Sequence, residues 1–236
     1  MKVVVLSYSG GVGKTTIAVN LLLPRVENAR LFSVETINDS ASELGVDTET
    51  MRGEEVYRLY RSVLLEDAAV VDVGASNVEA FLDRVMEFDG AKEEMDLFIV
   101  PVTPGMKQQN EARSLIQALA EMKVPAEKIR VVPNAIEREP AEECNLIAEF
   151  CETFKQARFK PEWAIYQNDV YDLLSRKQTT VQAVVADETD YRGMIRGLDR
   201  TKDAAKMQEY ADKHVLRSLA VGVEKRLDAV FKDLVA

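Results

Sequence analysis

The reading of the fold turns on residues 6–20, LSYSGGVGKTTIAVN. An apolar run, KVVVL at 2–6, leads into Gly10, Gly11 and Gly13, and an apolar-periodic segment opens directly after them. A glycine pattern carries weight when it joins a strand to a helix, and this one does. Glycines let the chain curl until successive backbone N–H groups converge on one anion, a concavity that Cβ atoms would obstruct. The positive end of the following helix adds to the same attraction. The backbone of Gly10, Gly11, Val12 and Gly13 is therefore expected to wrap a phosphate chain. Lys14 would bridge the β- and γ-phosphates as a point charge, and Thr15 would offer its hydroxyl to Mg²⁺. Thr16 would place a second hydroxyl near the α-phosphate.

Outward from the loop, β-branched apolar runs recur at 29–34, 68–73, 96–102 and 128–132. Amphipathic stretches at 54–67, 77–88 and 107–122 separate them; Ala112, Leu115, Ile116, Leu119 and Met122 fall at helical spacing. Such alternation predicts an α/β fold, a doubly wound and mostly parallel sheet with helices on both faces. After Pro133 the pattern turns mostly helical, broken by an extended piece around KPEWAIY at 160–166, and it ends in a long helical tract over 199–234. No Pro/Ser/Gly-rich linker divides residues 1–236, so one domain is expected, large enough to bury a substantial core.

Composition narrows the function. The apolar run at 2–6 is too short for a membrane span or a secretory signal and reads as a buried strand. Cys144 and Cys151, seven apart in a helical pattern, would share one face and pack in a core or an interface, which suits a reducing cytoplasm. The single histidine, His214, lies among charges, as a solvated helix position would, and cysteine and histidine together assemble no metal cluster. A formal net charge of -10 disfavours a surface that wraps nucleic acid, though a local basic patch remains compatible with it.

GGVGKTT followed by IAVNLL resembles the loop of the ParA/MinD class of P-loop ATPases, the deviant Walker A class. The whole chain, including YSGGVGKTTIAVNLLLPR and the later VVADETDYR, is similar to the StbB plasmid stability proteins. The resemblance implies an ATP-switched cytoplasmic protein that binds ATP or ADP with Mg²⁺ and acts in plasmid stability, partition or conjugative transfer. It implies a DNA-binding adaptor protein as partner, with plasmid DNA reached through it, and a nucleotide-dependent homodimer. By the same resemblance Asp72, at the end of AAVVDVGAS, holds the magnesium-bound water and shares catalysis with Lys14. A helix-capping role is the competing account of Asp72. Gly74 would leave the following segment free to respond to the γ-phosphate. Asn134, in RVVPNAIE just past a strand, would read the adenine edge with its amide; a turn asparagine after proline accounts for the same letters. Pro101 and Pro104, in a stretch that also resembles the class, would stiffen a switch or partner surface, or merely a rigid loop.

Two departures bear on mechanism. Ser9 aligns with the lysine that the class sends across a nucleotide-sandwiched dimer, and Tyr8 stands where common forms of the loop carry glycine. A neutral hydroxyl cannot neutralise phosphate charge as an ammonium does. SVETIND at 33–39 puts Glu35 at the first acidic position after the second strand and Ile37 where the class has its water-orienting aspartate. Glu35 or Asp39 would have to substitute; either also reads as a loop charge. Tight nucleotide binding with slow hydrolysis is the expectation. Two rivals stand beside the switch: a nucleotide-held scaffold that scarcely hydrolyses ATP, and a P-loop enzyme acting on a small molecule.

In the terminal tract, Leu216, Leu219, Val223, Leu227, Val230 and Leu234 form an apolar stripe flanked by Arg217, Lys225, Arg226 and Lys232. A membrane-binding helix is compatible with that composition, but Glu224, Asp228 and Asp233 offset the charge and favour packing on the sheet or a dimer partner. Lys202, Lys206 and Lys213 are compatible with a weak DNA-contacting face, though acidic neighbours favour a solvated one.

Overall fold

The computed structural model describes residues 1–35, 44–51, 55–88 and 90–236. Its strands are β1 (Lys2–Leu6), β2 (Arg30–Val34), β3 (Glu49–Met51), β4 (Ala69–Val73), β5 (Leu97–Val102), β6 (Ile129–Ile136), β7 (Arg158–Phe159) and β8 (Ile165–Tyr166). They order as β3-β2-β4-β1-β5-β6-β7, with β8 on the tail of β6, and every pairing among them is parallel. β1 sits at the centre, with Val3 opposite Val70 on one side and Leu97 on the other. A parallel sheet must be covered on both faces, which is why its central strands read as unbroken apolar runs.

The helices are α1 (Lys14–Thr16), which continues as π-helical turns over Ile17–Leu22, α2 (Val56–Leu65), α3 (Val78–Glu87), α4 (Met106–Glu121), α5 (Pro140–Glu143), α6 (Asn145–Phe154), α7 (Asp169–Arg176), α8 (Val181–Ala186), α9 (Tyr191–Arg196) and α10 (Ala204–Leu234). Alternate residues of β1 feed two cores. Val4 and Leu6 pack with Leu59 of α2, Phe81 of α3, Leu115 of α4 and Ile147 of α6. Val3 and Val5 pack with Ile17, Val170 of α7, Val181 of α8 and Leu227 of α10. Two-residue periodicity in the strand is thus what assigns each helix to its layer.

The expected strands and crossover helices are present, with four corrections. β6 does not stop before Asn134 but runs to Ile136, so Asn134 lies inside a strand and not past one. Pro133 stands at the last rung shared with β5, where its missing N–H interrupts nothing further along. Beyond it, β8 takes over the pairing through an irregularity at Ala135, whose φ is +55°. Cys144 falls between α5 and α6 and not within one continuous helix, although both thiols are buried in the same core, as core packing requires.

The terminal helix begins at Ala204, not at 199. Its buried stripe is Leu216, Ala220, Val223, Leu227, Val230 and Leu234, and Leu219 is 39% exposed. The stripe packs in the chain's own core, fixed in its C-terminal part by Arg25, whose Nε donates to Asp228 Oδ1 at 2.8 Å. Five residues further on, Trp163 Nε1 and Lys160 Nζ both donate to Asp233 Oδ2, at 2.7 and 2.9 Å. No described helix is long and apolar enough to cross a membrane. β3 carried no legible pattern: three residues at a sheet edge are too few to show a period.

Candidate functional site

The glycine loop leaves the C-terminal end of β1, at the strand-end crevice where open α/β sheets bind ligands. Gly11 and Gly13 have φ of +71° and +84°, a region in which side chains are strained. A Cβ at Gly10 or Gly11 would meet nothing within 4 Å, so the loop is open at these exposed positions. Gly13 is constrained twice, because a Cβ on it would also overlap the Asn134 amide. That amide Nδ2 donates to Val12 O at 2.9 Å, and Ile17 N–H donates to Gly13 O at 2.9 Å to start the helix. Val12 itself is buried.

Lys14 is buried, and its Nζ donates to Ser9 O at 3.0 Å, folding the ammonium back along the loop. Burial lowers its pKa, opposed by the carboxylates of Asp72 and then Glu35. Asp72, 2% exposed within β4, accepts a 2.6 Å hydrogen bond from Thr15 Oγ1. It lies well before α3, so the capping account does not apply. A hydroxyl and a carboxylate oxygen are the donor set of a hard cation. Among the described residues no cluster of three or more His, Cys, Asp or Glu side chains is placed to hold a metal ion. Thr15 and Thr16 also edge a cavity of about 300 Å³ closed by Asn20, Tyr171, Leu174 and Gln178.

Gly74 lies beneath a side chain from the neighbouring strand. Its φ is an ordinary -58°, its N–H donates to Val34 O at 2.9 Å, and a Cβ on it would overlap the Glu35 carboxylate. Glu35, leaving β2, has its own N–H held by Met51 O at 3.0 Å. Ile37 and Asp39 lie outside the described residues.

Neither Tyr8 nor Ser9 faces the loop's open side. The Ser9 hydroxyl donates to Glu111 Oε2 on α4, and the residue is 4% exposed. Tyr8 packs against the core beside α3, where burial, followed by Glu79 and Asp83, raises its hydroxyl pKa. Pro101 lies inside β5, and Pro104 O accepts from Gln109 Nε2 at 2.8 Å, tying the strand exit to α4. Sequence reading missed Glu111 and the Asn134–Val12 bond; these join residues 102 and 122 positions apart, and no local pattern marks either. A larger cavity of about 710 Å³, between α6 and β7, shares no residue with the loop.

No family model matches the chain, and no curated protein matches it. Solved structures do. Apo McdA from Cyanothece aligns with a TM-score of 0.58 at 15% identity, over 100% of this chain and 99% of that one. MinD from Pyrococcus horikoshii, complexed with Mg-ADP, aligns at 0.56 and 12% identity, over 99% and 98%. The chain has the MinD/ParA fold. A ParA family ATPase from Chlorobium tepidum agrees at 0.52 and 14% identity, over 80% of this chain and 92% of that one. At these identities the likeness is one of fold, and it places the glycine loop of this MinD/ParA-like chain at the strand ends where doubly wound sheets carry their ligands.

Proposed function

We propose that the chain is an ATP-binding, slowly hydrolysing molecular switch. The observation that carries this reading is the pairing of an open glycine loop with the Thr15–Asp72 contact at its foot. Backbone N–H groups of residues 10–14 hold the phosphate chain, and Lys14 swings from Ser9 O onto the phosphate oxygens. Thr15 and Asp72 would hold Mg²⁺, which would supply neutralising charge to the phosphates. Mg-ADP in the MinD complex supports this choice of ligands.

Plasmid stability, partition or conjugative transfer, with a DNA-binding adaptor and a nucleotide-dependent homodimer, is the biological role we assign, on the resemblance of YSGGVGKTTIAVNLLLPR and VVADETDYR to the StbB proteins. Direct membrane contact is not part of the proposal, because the α10 stripe is buried. Neither is direct DNA contact through Lys213, which is paired with Glu209 at 2.7 Å. Size-exclusion chromatography with light scattering, on wild type and Lys14→Ala with ATP, ADP or no nucleotide, tests the switch. ATP-dependent dimerisation lost in Lys14→Ala is the expected result; a chain that binds no nucleotide overturns it.

One observation favours a second reading, the nucleotide-held scaffold. The Ser9 hydroxyl is turned inward onto Glu111, so the position of the crossing lysine presents no group to a partner's phosphates. A nucleotide-bound monomer that never dimerises would select this scaffold.

A further inference from the structure

The sequence lacks an aspartate at Ile37 to orient the attacking water, yet a carboxylate, Glu35, stands two residues earlier at the end of β2. Glu35 sits where β2 ends, and its backbone is fixed on both sides. Its N–H is held by Met51 O of β3 at 3.0 Å, while the preceding residue, Val34, accepts from Gly74 N–H at 2.9 Å. Two strand exits, β2 and β4, are therefore pinned together at this point. The Glu35 carboxylate lies directly over Gly74, with both oxygens in the volume that a side chain there would occupy. The same carboxylate is close enough to Lys14 to oppose the effect of burial on the ammonium.

Two carboxylates thus act on the Lys14 ammonium, Asp72 and Glu35, and the second is seated over Gly74, two residues beyond the first. Asp72 is spoken for on the cation side, since its Oδ2 accepts from Thr15. Hydrolysis of a γ-phosphate also needs a group that fixes the water in line with the breaking bond. We propose that Glu35 is that group, a catalytic carboxylate seated by Gly74 in place of the missing aspartate. The proposal rests on the ATPase reading above. In the step, the water oxygen bonds to the γ-phosphorus as the bond from phosphorus to the β–γ bridging oxygen breaks. Electrons of that bond leave with ADP, the Glu35 carboxylate takes the water proton, and that proton passes on to the released phosphate.

The test uses the full chain as wild type, Glu35→Gln, Glu35→Asp, Gly74→Ala and Lys14→Ala. Calorimetry measures MgATP affinity, and competition measures Mg-ADP with aluminium fluoride as a transition-state mimic. Single-turnover phosphate release is followed from pH 5 to 9, with thermal melts as a check on folding. In Glu35→Gln, MgATP affinity is expected to stay within about threefold of wild type while release falls roughly 10²-fold or more. Affinity for the mimic should fall by a similar factor and the acid limb of the pH profile disappear, with Glu35→Asp intermediate. Gly74→Ala keeps the carboxylate but takes its seat, and should repeat the phenotype of Glu35→Gln. Release by Glu35→Gln close to wild type overturns the proposal. So does a parallel loss of MgATP affinity and rate, which would make Glu35 a partner of Lys14 only. A wild type that binds MgATP without hydrolysing it also overturns the role of Glu35 and leaves nucleotide binding standing; a wild type that binds no MgATP sinks both.

Discussion

Asn134 donates through Nδ2 to Val12 O at 2.9 Å from the very space that forbids a side chain at Gly13. In this structure the asparagine expected to read a base braces the glycine loop. Removing it leaves a buried carbonyl without its donor, at a cost of about 1–3 kcal/mol. Asn134→Ala should therefore weaken ATP and GTP by the same factor, about 5- to 150-fold. Calorimetry with both nucleotides decides; a loss confined to ATP would restore the base-reading role.

Thr15 Oγ1 donates to Asp72 Oδ2 at 2.6 Å at the foot of the loop, the pair proposed above to hold Mg²⁺. In Thr15→Val the shape is kept and the hydroxyl lost. Nucleotide affinity in EDTA should stay near that of wild type, while the gain on adding Mg²⁺ falls by roughly tenfold, about 1.4 kcal/mol. Equal Mg²⁺ dependence in the two proteins would remove Thr15 from the ion's ligands.

Neighbouring positions on α10 should behave oppositely. Leu227→Ala opens a cavity in a close-packed core and is expected to cost about 2–5 kcal/mol in denaturant unfolding. Leu219→Ala, on the exposed side, should change stability by no more than about 0.5 kcal/mol. With the stripe buried, the folded protein should remain in the supernatant when spun with anionic vesicles.

Burial pushes the thiols of Cys144 and Cys151 up to about 12. Both should resist iodoacetamide at pH 8 in the folded state and react on unfolding, since the thiolate is the nucleophile. The fold holds these protons more tightly than the unfolded chain does. Their contribution to stability is therefore complete below the ordinary thiol value, about 9, and is lost as pH rises from there toward 12. Urea midpoints measured from pH 7 to 11 should fall across that window, and less steeply in a Cys144→Ala/Cys151→Ala chain.

Much of the architecture was legible because one constraint repeats. Strands buried on both faces must be apolar throughout, so β1, β2, β4 and β5 announced themselves. The turn from β1 through Gly10, Gly11 and Gly13 into the helix at Lys14 was readable because its residues are contiguous. Side chains whose partners lie far along the chain were not readable: Ser9 with Glu111, Asn134 with Val12, Gly74 with Glu35. The boundary of β6 was missed because Pro133 suggests a strand end, and only the arrival of β8 explains why the strand goes on.

Arg25 joins the far end of the helix that follows the glycine loop to α10 through Asp228 and Glu224, at 2.8 and 3.0 Å. The last 31-residue helix is in effect the foundation on which the loop's helix stands. Deleting it, the usual way to ask whether a tail carries a localisation signal, would undermine a ligand site it never touches. The resulting defect would masquerade as lost targeting, and only a parallel nucleotide-binding measurement on the shortened chain would unmask it.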